Sequence, residues 1–312
     1  MTPRRAAAFS PGHVTGFFEI RDEASEWDRK GSRGAGFATK LGALSFVEVE
    51  PARRFSLDIS LDKSRSEAPV TRHAVREVLK AAIADGKVPY DRDAPAGERA
   101  KVAMRVFTET QLPVSQGFGM SAAGALSAAM AAAKALGVGR TEAVRAAHAA
   151  EIANRSGLGD VAGAIHGGWE IRRAPGLPPY GAVQSFMGYG ELVLCVVDEP
   201  LETKSVLADP AKRRAINAAG ARAVDALLAE PTVERFFDLS HAFAIETGLL
   251  KGRLLDAVET ARQHGHASMS MLGGSLFAVG RRDALLAALK PFGETFVTEV
   301  DPEPARILPI ET

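Results

Sequence analysis

A glycine-containing loop followed by an alanine-rich run constrains this chain more than any other feature of its sequence. Residues 113–124 read PVSQGFGMSAAG and follow the strand-like alternation of residues 102–109. Gly117 and Gly119 allow positive φ and a close approach of the backbone to a ligand. Ser121 lies where the helix should begin, and the unpaired amides of a helix start attract phosphate. The pattern predicts either a phosphate-binding turn or an ordinary serine-capped helix.

This loop differs from the two most familiar phosphate-binding motifs. It is not followed by the Gly-Lys-Ser/Thr of a Walker A loop. It also lacks the glycine spacing and the later acidic residue of a dinucleotide-binding fingerprint. Evidence for a ligand must therefore come from other segments of the chain.

Charge and composition exclude several classes of protein. The 312 residues include 38 Lys and Arg and 38 Asp and Glu, so the formal net charge is zero and the basic excess of a nucleic-acid binder is missing. One cysteine excludes an internal disulfide and a multi-cysteine zinc site. We find neither a secretory signal nor an uninterrupted apolar run of about 18 residues. We expect a cytoplasmic protein with no nucleic-acid partner and no membrane partner.

The order of the elements predicts an α+β chain in two parts. Strand-like alternation dominates the first third, and the glycines between residues 29 and 42 are interpreted as a turn that joins two strands. The proline- and glycine-rich residues 175–190 are the predicted connection between the parts. This assigns residues 1–188 to an N-terminal domain and residues 189–312 to a C-terminal domain. Helices are predicted over residues 71–85, 121–137, 140–154, 210–229, 232–245, 249–264 and 283–289.

A second polar segment follows the helix predicted over residues 140–154. Residues 151–160 read EIANRSGLGD, and a Gly-Gly pair follows at 167–168. Asp160 is flanked by apolar residues, so its carboxylate either caps a helix or takes part in proton transfer. Glu151 lies near a helix end, where the helix dipole disfavours an anion. This misfit indicates either a nearby cation or a surface ion pair with Arg155.

Two further segments are informative only in combination with the others. In the segment SPGHVTGFFE at residues 10–19, His13 is either structural or catalytic, and Glu19 would need a partner if it were buried. In the segment ASMSMLGGS at residues 267–275, the adjacent glycines indicate a β-turn or the close approach of a ligand. Neither segment distinguishes these alternatives by itself.

Together the four segments resemble the motifs of the GHMP small-molecule kinases, the superfamily of galactokinase and of homoserine, mevalonate and phosphomevalonate kinases. Pro11, Gly12 and Glu19 keep the spacing of the first motif of that superfamily, with His13 in place of its lysine. Within the superfamily, the sequences SPGHVTGFFEI, GSRGAG and SGLGDVAG are most similar to the archaeal pantoate kinases.

The other motifs of the superfamily are matched residue by residue. Its second motif, Pro-x3-Gly-Leu-Gly-Ser-Ser-Ala-Ala, is matched by Pro113, Gly117, Phe118, Gly119, Met120, Ser121, Ala122 and Ala123. Here Phe118 replaces the leucine and Met120 the first serine. The segment that carries the catalytic aspartate is matched by Ser156, Gly157 and Asp160. The third motif is matched by Gly273 and Gly274.

The resemblance implies both an architecture and a site. The architecture would be the two-domain GHMP kinase fold, with an N-terminal domain of a type shared with a ribosomal protein and a ferredoxin-like C-terminal domain. ATP would bind with its phosphates on the residues that match the second motif, and Ser121 and Glu151 would hold Mg²⁺. Asp160 would accept the proton of the acceptor hydroxyl, and His13 would orient Asp160 or that hydroxyl.

The resemblance also implies a small hydroxy acid as substrate. Arg155 is the candidate for the substrate carboxylate, with a surface ion pair as its alternative. His13, Glu19, Gly273 and Gly274 would contribute to the rest of the substrate site. The implied reaction is the ATP-dependent phosphorylation of pantoate to 4-phosphopantoate in coenzyme A synthesis.

Several alternatives to this reaction remain open from the sequence. The acceptor could instead be homoserine, shikimate or a mevalonate derivative. The replacement of the lysine by His13 would also suit a non-catalytic nucleotide-binding regulator. An RNA-binding module is disfavoured by the zero net charge. Superfamily members often dimerise, so the resemblance allows a homodimer.

Overall fold

Two β-sheets with helices packed on them make up the described part of the chain. The computed structural model describes residues 3–310 apart from 94, 96–98, 189, 200–205 and 207. In this part, one sheet has eight strands and the other has four, which confirms the α+β prediction. The first sheet contains β1 (Arg4–Arg21), β2 (Gly31–Pro51), β3 (Ser56–Leu61), β4 (Ser64–Arg65), β5 (Val102–Thr110), β6 (Trp169–Ala174), β7 (Ala182–Ser185) and β12 (Arg306–Leu308). The second sheet contains β8 (Glu191–Val196), β9 (Gly265–Met269), β10 (Ser275–Gly280) and β11 (Glu294–Glu299).

The helices lie close to their predicted positions. Each of the seven predicted helices has a counterpart, with ends that differ by at most three residues. A short additional helix follows the 156–159 loop. The helices are α1 (Pro69–Ala84), α2 (Met120–Leu136), α3 (Arg140–Asn154), α4 (Asp160–His166), α5 (Pro210–Ala229), α6 (Val233–Glu246), α7 (Gly252–Arg262) and α8 (Arg282–Leu289).

The longest pairing is the antiparallel ribbon of β1 and β2. The turn predicted within residues 29–42 is wrong, because these glycines lie in β2 from residue 31 onward. The reason is steric. A Cβ on Gly36 would come within 2.9 Å of His13 Nε2, and a Cβ on Gly34 within 2.8 Å of Arg172 Nη2. Gly34 and Gly36 thus make room both for the neighbouring backbone of β1 and for two buried basic side chains.

Helix α2 is buried on almost every side. Its alanines, glycine and serine let α1, α3 and the ribbon of β1 and β2 approach closely. The helix begins directly after the 113–119 loop. Close packing of these small side chains holds that loop at the edge of the first sheet.

The second sheet has the strand order β11-β8-β10-β9, with all pairs antiparallel. Counted along the chain, this is the order 4-1-3-2 of a ferredoxin-like βαββαβ unit, as the sequence predicts. The predicted 268–279 strand or turn is the hairpin of β9 and β10. Helices α6 and α7 pack against β9, and α5 packs against β1 of the first sheet.

The predicted division of the chain at residues 188 and 189 stays a prediction. Residue 189 lies outside the described residues. Strand β7 forms within the proposed connection and pairs with β6, and β12 pairs with β1. The C-terminal residues therefore return to the first sheet. None of the described helices is both long and apolar enough to cross a membrane.

Candidate active site

The 113–119 loop is pressed between β1 and the turn that joins β9 to β10. The backbone N–H of His13 donates to the carbonyl of Phe118 over 3.0 Å. A Cβ on Gly119 would come within 2.8 Å of His13 O, and a Cβ on Gly117 within 2.7 Å of Ser270 O. Both glycines have positive φ, 79° at Gly117 and 66° at Gly119. Glycine is thus required here by conformation and by close packing.

The residues predicted to bind ATP differ in which of their groups, side chain or backbone, could contact a ligand. Pro113 is half-buried at the start of the loop. Ser121 is half-buried in the first turn of α2, whose N-cap is Gly119 without a side-chain hydrogen bond. The alternative of a serine-capped helix is therefore wrong, and no side chain caps the first-turn amides. The core buries the side chains of Phe118, Met120, Ala122 and Ala123, so the phosphates would meet mainly their backbone groups.

A cavity of about 360 Å³ lies beside the start of α2. Its lining includes Ile59 of β3, Pro69 of α1 and Thr108 of β5, together with Ser121 and Gly124 of α2. Its volume is within the range of small-molecule sites, and apolar side chains form much of its wall. The sequence analysis identified only the α2 side of this cavity, because α1 and the sheet reach it through long-range packing.

His13 lies at the centre of a buried cluster of charged side chains. Its Nδ1 is 2.9 Å from Asp160 Oδ1, and its Nε2 is 3.0 Å from Glu170 Oε1. Arg172 Nη1 bonds to Glu170 Oε1 and lies 3.3 Å from His13 Nε2, while its Nη2 donates to Thr15 Oγ1 over 3.2 Å. Asp160 does not cap α4, whose N-cap is Gly159. The proton-transfer alternative thus has geometric support, and the capping alternative is wrong.

The cluster changes the acidity of its members. Burial by itself lowers the pKa of His13, but the hydrogen bonds to Asp160 and Glu170 outweigh burial and raise that pKa above its ordinary value. Burial would raise the pKa of Glu170, but the neighbouring Arg172 and His13 hold that pKa below its usual range. Both shifts favour the charged forms of the two groups, the imidazolium of His13 and the carboxylate of Glu170.

Glu151 is fully buried at the C-terminal end of α3. Its Oε2 accepts from the backbone N–H of Val161 over 3.4 Å, and its Oε1 has no hydrogen-bond partner among the described residues. Burial and the charge of Asp160 raise the pKa of Glu151 well above its ordinary value. A Cβ on Gly157 would overlap Glu151 Oε1 and come within 3.0 Å of Asp160 Oδ2, so the two carboxyl groups face one point.

This arrangement suits a hard cation that is held partly by other ligands. The unpartnered carboxylate oxygen of Glu151 is a hard donor of the kind that fits Mg²⁺. Within the described part of the chain, no group of three or more His, Cys, Asp or Glu side chains could hold a metal. Phosphate oxygens and water would have to complete the coordination.

Of the two alternatives for Glu151, the surface ion pair with Arg155 is wrong. Glu151 points into the protein, whereas Arg155 is exposed in the left-handed C-cap position of α3, with φ 52°. Arg155 has no ion-pair partner within residues 3–310 as far as these are described. Its guanidinium is therefore available to a ligand, and the surface ion pair offered as its alternative is also absent there.

Glu19 is engaged by side chains away from the His13 cluster. Its carboxylate pairs with Arg33 at 2.9 Å and with Arg21 at 2.6 Å, beneath α5. Glu19 and His13 are six residues apart on β1, about 20 Å along an extended strand. The need for a partner is met, but this placement contradicts the predicted contact of Glu19 with a substrate at His13.

Gly273 and Gly274 allow the turn between β9 and β10 to pack closely against the 113–119 loop and the end of β8. A Cβ on Gly273 would overlap the backbone of Gln116, and a Cβ on Gly274 would overlap the carbonyl of Asp198. The side-chain Oε1 of Gln116 accepts from Gly274 N over 3.0 Å, and its Nε2 donates to Asp198 O over 3.2 Å. Gln116, which the sequence analysis did not single out, thus ties the loop to the second sheet.

Glu170 and Arg172 belong to the site although no sequence motif indicated them. Both are buried, with exposures of 0% and 1%, although charged side chains are seldom buried. Their signal lies in the predicted strand WEIRR, where positions 170 and 172 share one face. Two opposite charges on the inner face of a strand would have indicated a buried polar site.

Comparisons with known proteins show what this chain is similar to. The family model described as the GHMP kinases N terminal domain matches residues 79–168. A pantoate kinase of Thermococcus kodakarensis is 34% identical over 276 residues, 88% of this chain and 87% of that protein. A pantoate kinase of Methanocaldococcus jannaschii is 28% identical over 281 residues, 90% of this chain and 95% of that protein. A solved structure described as a phosphotransferase related to the coenzyme A biosynthesis pathway is 28% identical, with a TM-score of 0.82 and coverage of 97% of this chain and 98% of that chain.

These similarities extend well beyond the motifs. They include both sheets and the helices between them, as the coverage of the solved structure requires. They confirm the resemblance inferred from the glycine loop and from the segments around His13, Asp160 and Gly273. The chain belongs to the GHMP kinases and, within them, to the pantoate kinase family.

Proposed function

We propose that this protein transfers the γ-phosphoryl group of ATP to the primary hydroxyl of pantoate, which gives 4-phosphopantoate for coenzyme A synthesis. The observation that carries the kinase chemistry is the pairing of Asp160 with His13 directly beside the 113–119 loop. The choice of pantoate is supported by the relatives named pantoate kinase. A cytoplasmic location, a homodimer and the absence of nucleic-acid and membrane partners stay predictions.

Asp160 is the proposed general base. Its Oδ1 receives the Nδ1–H of His13, and its Oδ2 has no hydrogen-bond partner in the described part of the chain. Oδ2 would take the proton of the acceptor hydroxyl as the new O–P bond forms and ADP leaves. His13 would keep Asp160 ionised and oriented. Positioning and charge neutralisation supply most of the catalysis in phosphoryl transfer.

The proposed phosphate site is formed by the 113–119 loop and the uncapped first turn of α2. The cavity beside Ser121 is the proposed place of the nucleoside. Ser121 and Glu151 are the proposed protein ligands of Mg²⁺, which neutralises phosphate charge when bound. In that role, the free Oε1 of Glu151 would gain a partner.

Replacement of Glu151 by glutamine should weaken Mg²⁺ use. Outer partners of metal ligands already contribute about 10- to 100-fold to metal affinity, so loss of a direct ligand should cost at least about tenfold. The measurement is the Mg²⁺ concentration for half-maximal turnover, together with calorimetric binding of an ATP analogue with and without Mg²⁺. Glu142→Gln, on the exposed first turn of the same helix, is the matched control. Equal Mg²⁺ dependence in both variants would exclude Glu151 as a ligand.

Arg155 is the proposed contact for the substrate carboxylate. Because a charge-assisted hydrogen bond is worth about 1.5–3 kcal/mol, Arg155→Ala should raise KM for pantoate by about tenfold or more and leave KM for ATP unchanged. Steady-state kinetics with each substrate varied in turn would measure this. Arg214→Ala, at an exposed position of α5, is the control. An unchanged KM for pantoate would transfer the role to another residue.

The test of the proposed function is a coupled ADP-release assay with Mg²⁺ and ATP. D-pantoate would be compared with homoserine, shikimate and mevalonate at equal concentrations. Turnover that depends on pantoate is the expected result. Turnover with another acceptor would keep the kinase and overturn the substrate. ATP binding without turnover on any acceptor would favour a nucleotide-binding regulator.

A further inference from the structure

The ring of His13 is held on both sides by elements other than its own strand. Asp160 of α4 contacts Nδ1, and Glu170 of β6 contacts Nε2. The ring is also confined sterically, since a Cβ on Gly163 would overlap it and a Cβ on Gly36 would come within 2.9 Å of Nε2. The ring of His13 is therefore packed closely in the orientation that faces both carboxylates.

The number of protons on this ring depends on Glu170. A neutral imidazole has one N–H, so with both nitrogens facing carboxylate oxygens one lone pair would oppose a carboxylate. Arg172 Nη1, 3.3 Å from Nε2, acts in the opposite direction, because it could donate to a bare Nε2. Glu170 favours the charged ring, and Arg172 favours the neutral one.

The other charged groups near the cluster act mainly on its carboxylates. Glu151 of α3 faces Asp160, and His166 exerts a weaker attraction on Glu170. The loop before α2 and strand β2 bring the uncharged residues Gly119 and Gly36 against His13. Glu170 is the negatively charged partner of Nε2, so together with Asp160 at Nδ1 it favours the charged ring.

We propose that Glu170 is a positioning residue for phosphoryl transfer, which holds His13 as a doubly protonated imidazolium and thereby fixes Asp160 Oδ1. Asp160 Oδ2 is then left to accept the hydroxyl proton while the bond from the γ-phosphorus to the leaving oxygen of ADP breaks. This inference rests on the proposed function for its catalytic consequence. The charge state of the ring can be measured without any acceptor.

The kinetic test compares the wild-type protein with Glu170→Gln. A general base contributes about 10²- to 10⁴-fold, and loss of a residue that only positions the base should cost less than loss of the base, so kcat should fall by about 10- to 100-fold with KM for ATP unchanged. The ordinary pKa of histidine is about 6.5, and that of His13 lies above it. In the variant this pKa should fall, so the alkaline limb of the kcat profile should move to lower pH. Asp301→Asn, which neutralises another buried carboxylate that is bonded to an arginine, should leave the limb in place.

The second test is NMR of protein labelled with ¹⁵N in the histidine rings, with His13→Asn used to assign the signals. At pH 7.5 the wild-type His13 ring should carry protons on both nitrogens, and Glu170→Gln should carry one. Arg172→Gln should keep the ring charged to higher pH than the wild type does. This change is opposite to the one expected for Glu170→Gln. A general loss of packing is not expected to shift the pKa of His13 in opposite directions in the two variants.

The outcomes separate this inference from the proposed function. A wild-type His13 ring that is neutral at pH 7.5 would overturn the role of Glu170. So would a Glu170→Gln protein in which both the protonation of the ring and the alkaline limb of the kcat profile are unchanged. If Glu170→Gln does not fold, the wild-type titration and Arg172→Gln still decide the question. Turnover with an acceptor other than pantoate would overturn the substrate alone, because the same limb can be measured with that acceptor.

Discussion

Asp160→Asn should lower kcat by about 10²- to 10⁴-fold, the usual contribution of a general base. The amide keeps the size of the side chain but cannot take the hydroxyl proton. Its oxygen can still accept from His13 Nδ1, now 2.9 Å from Asp160 Oδ1, so the cluster should stay assembled. The measurement is kcat in the ADP-release assay, with KM for ATP and the melting temperature measured in parallel.

The control for this variant is an aspartate outside the cluster. Asp238 is exposed on α6, and Asp238→Asn should have wild-type kcat. If Asp160→Asn retained more than about a tenth of the wild-type kcat, proton transfer to Asp160 would not be needed. Positioning and phosphate neutralisation would then account for the reaction, and Asp160 would serve only to orient His13.

Gly163→Ala should displace the His13 ring although it adds only a methyl group. Gly163 lies inside α4, where alanine is favoured over glycine by about 1 kcal/mol for the isolated helix. A Cβ at this position, however, would overlap the Nε2 and Cδ2 atoms of the His13 ring. The ring would have to leave Glu170 or Asp160, so we expect kcat to fall by about 10- to 100-fold. Steady-state kinetics and the ¹⁵N signals of the ring would report the displacement.

Gly139→Ala is the matched control for the added methyl group. A Cβ on Gly139 would meet no atom within 4 Å, and this glycine precedes α3. Its kcat should equal that of the wild type. A Gly163→Ala protein with normal kcat and unmoved ring signals would show that the position of His13 is not critical, which would also remove the basis for the role of Glu170.

The glycines of this chain show where sequence patterns are ambiguous. Gly117 and Gly119 were interpreted as a loop with positive φ, and both have it. The glycines from residue 31 to residue 42 show the same composition but lie in a strand. A glycine can be required because its φ is positive or because a neighbouring group leaves no room for a Cβ. Only the tertiary structure, which shows that neighbour, distinguishes the two reasons. Here the neighbours are His13 and Arg172, the latter well over 100 residues away along the chain.

The charged residues also show that local sequence can indicate a site residue without identifying its partner. Asp160 and Glu151 could be singled out because local sequence made each of them unusual. The partner of Glu19 could be expected but not identified, since Arg33 reaches it only through the pairing of β1 with β2. Glu170 was overlooked, because its place in the WEIRR strand has meaning only once His13 lies against it.

The sequence by itself determined the local structure of this protein: the glycine loop, the seven predicted helices within three residues, the α+β class and the resemblance to a kinase family. These follow from periodicity, turn chemistry and short motifs, which act over a few residues. The tertiary structure alone decided the contacts that assemble the cluster, since His13 is 147 residues from Asp160 and 157 residues from Glu170. Strand pairing and helix packing bring these groups together, and burial then changes their pKa values. Proton affinity depends on this assembled environment, so the charge on His13 could not be predicted from any segment of the sequence alone.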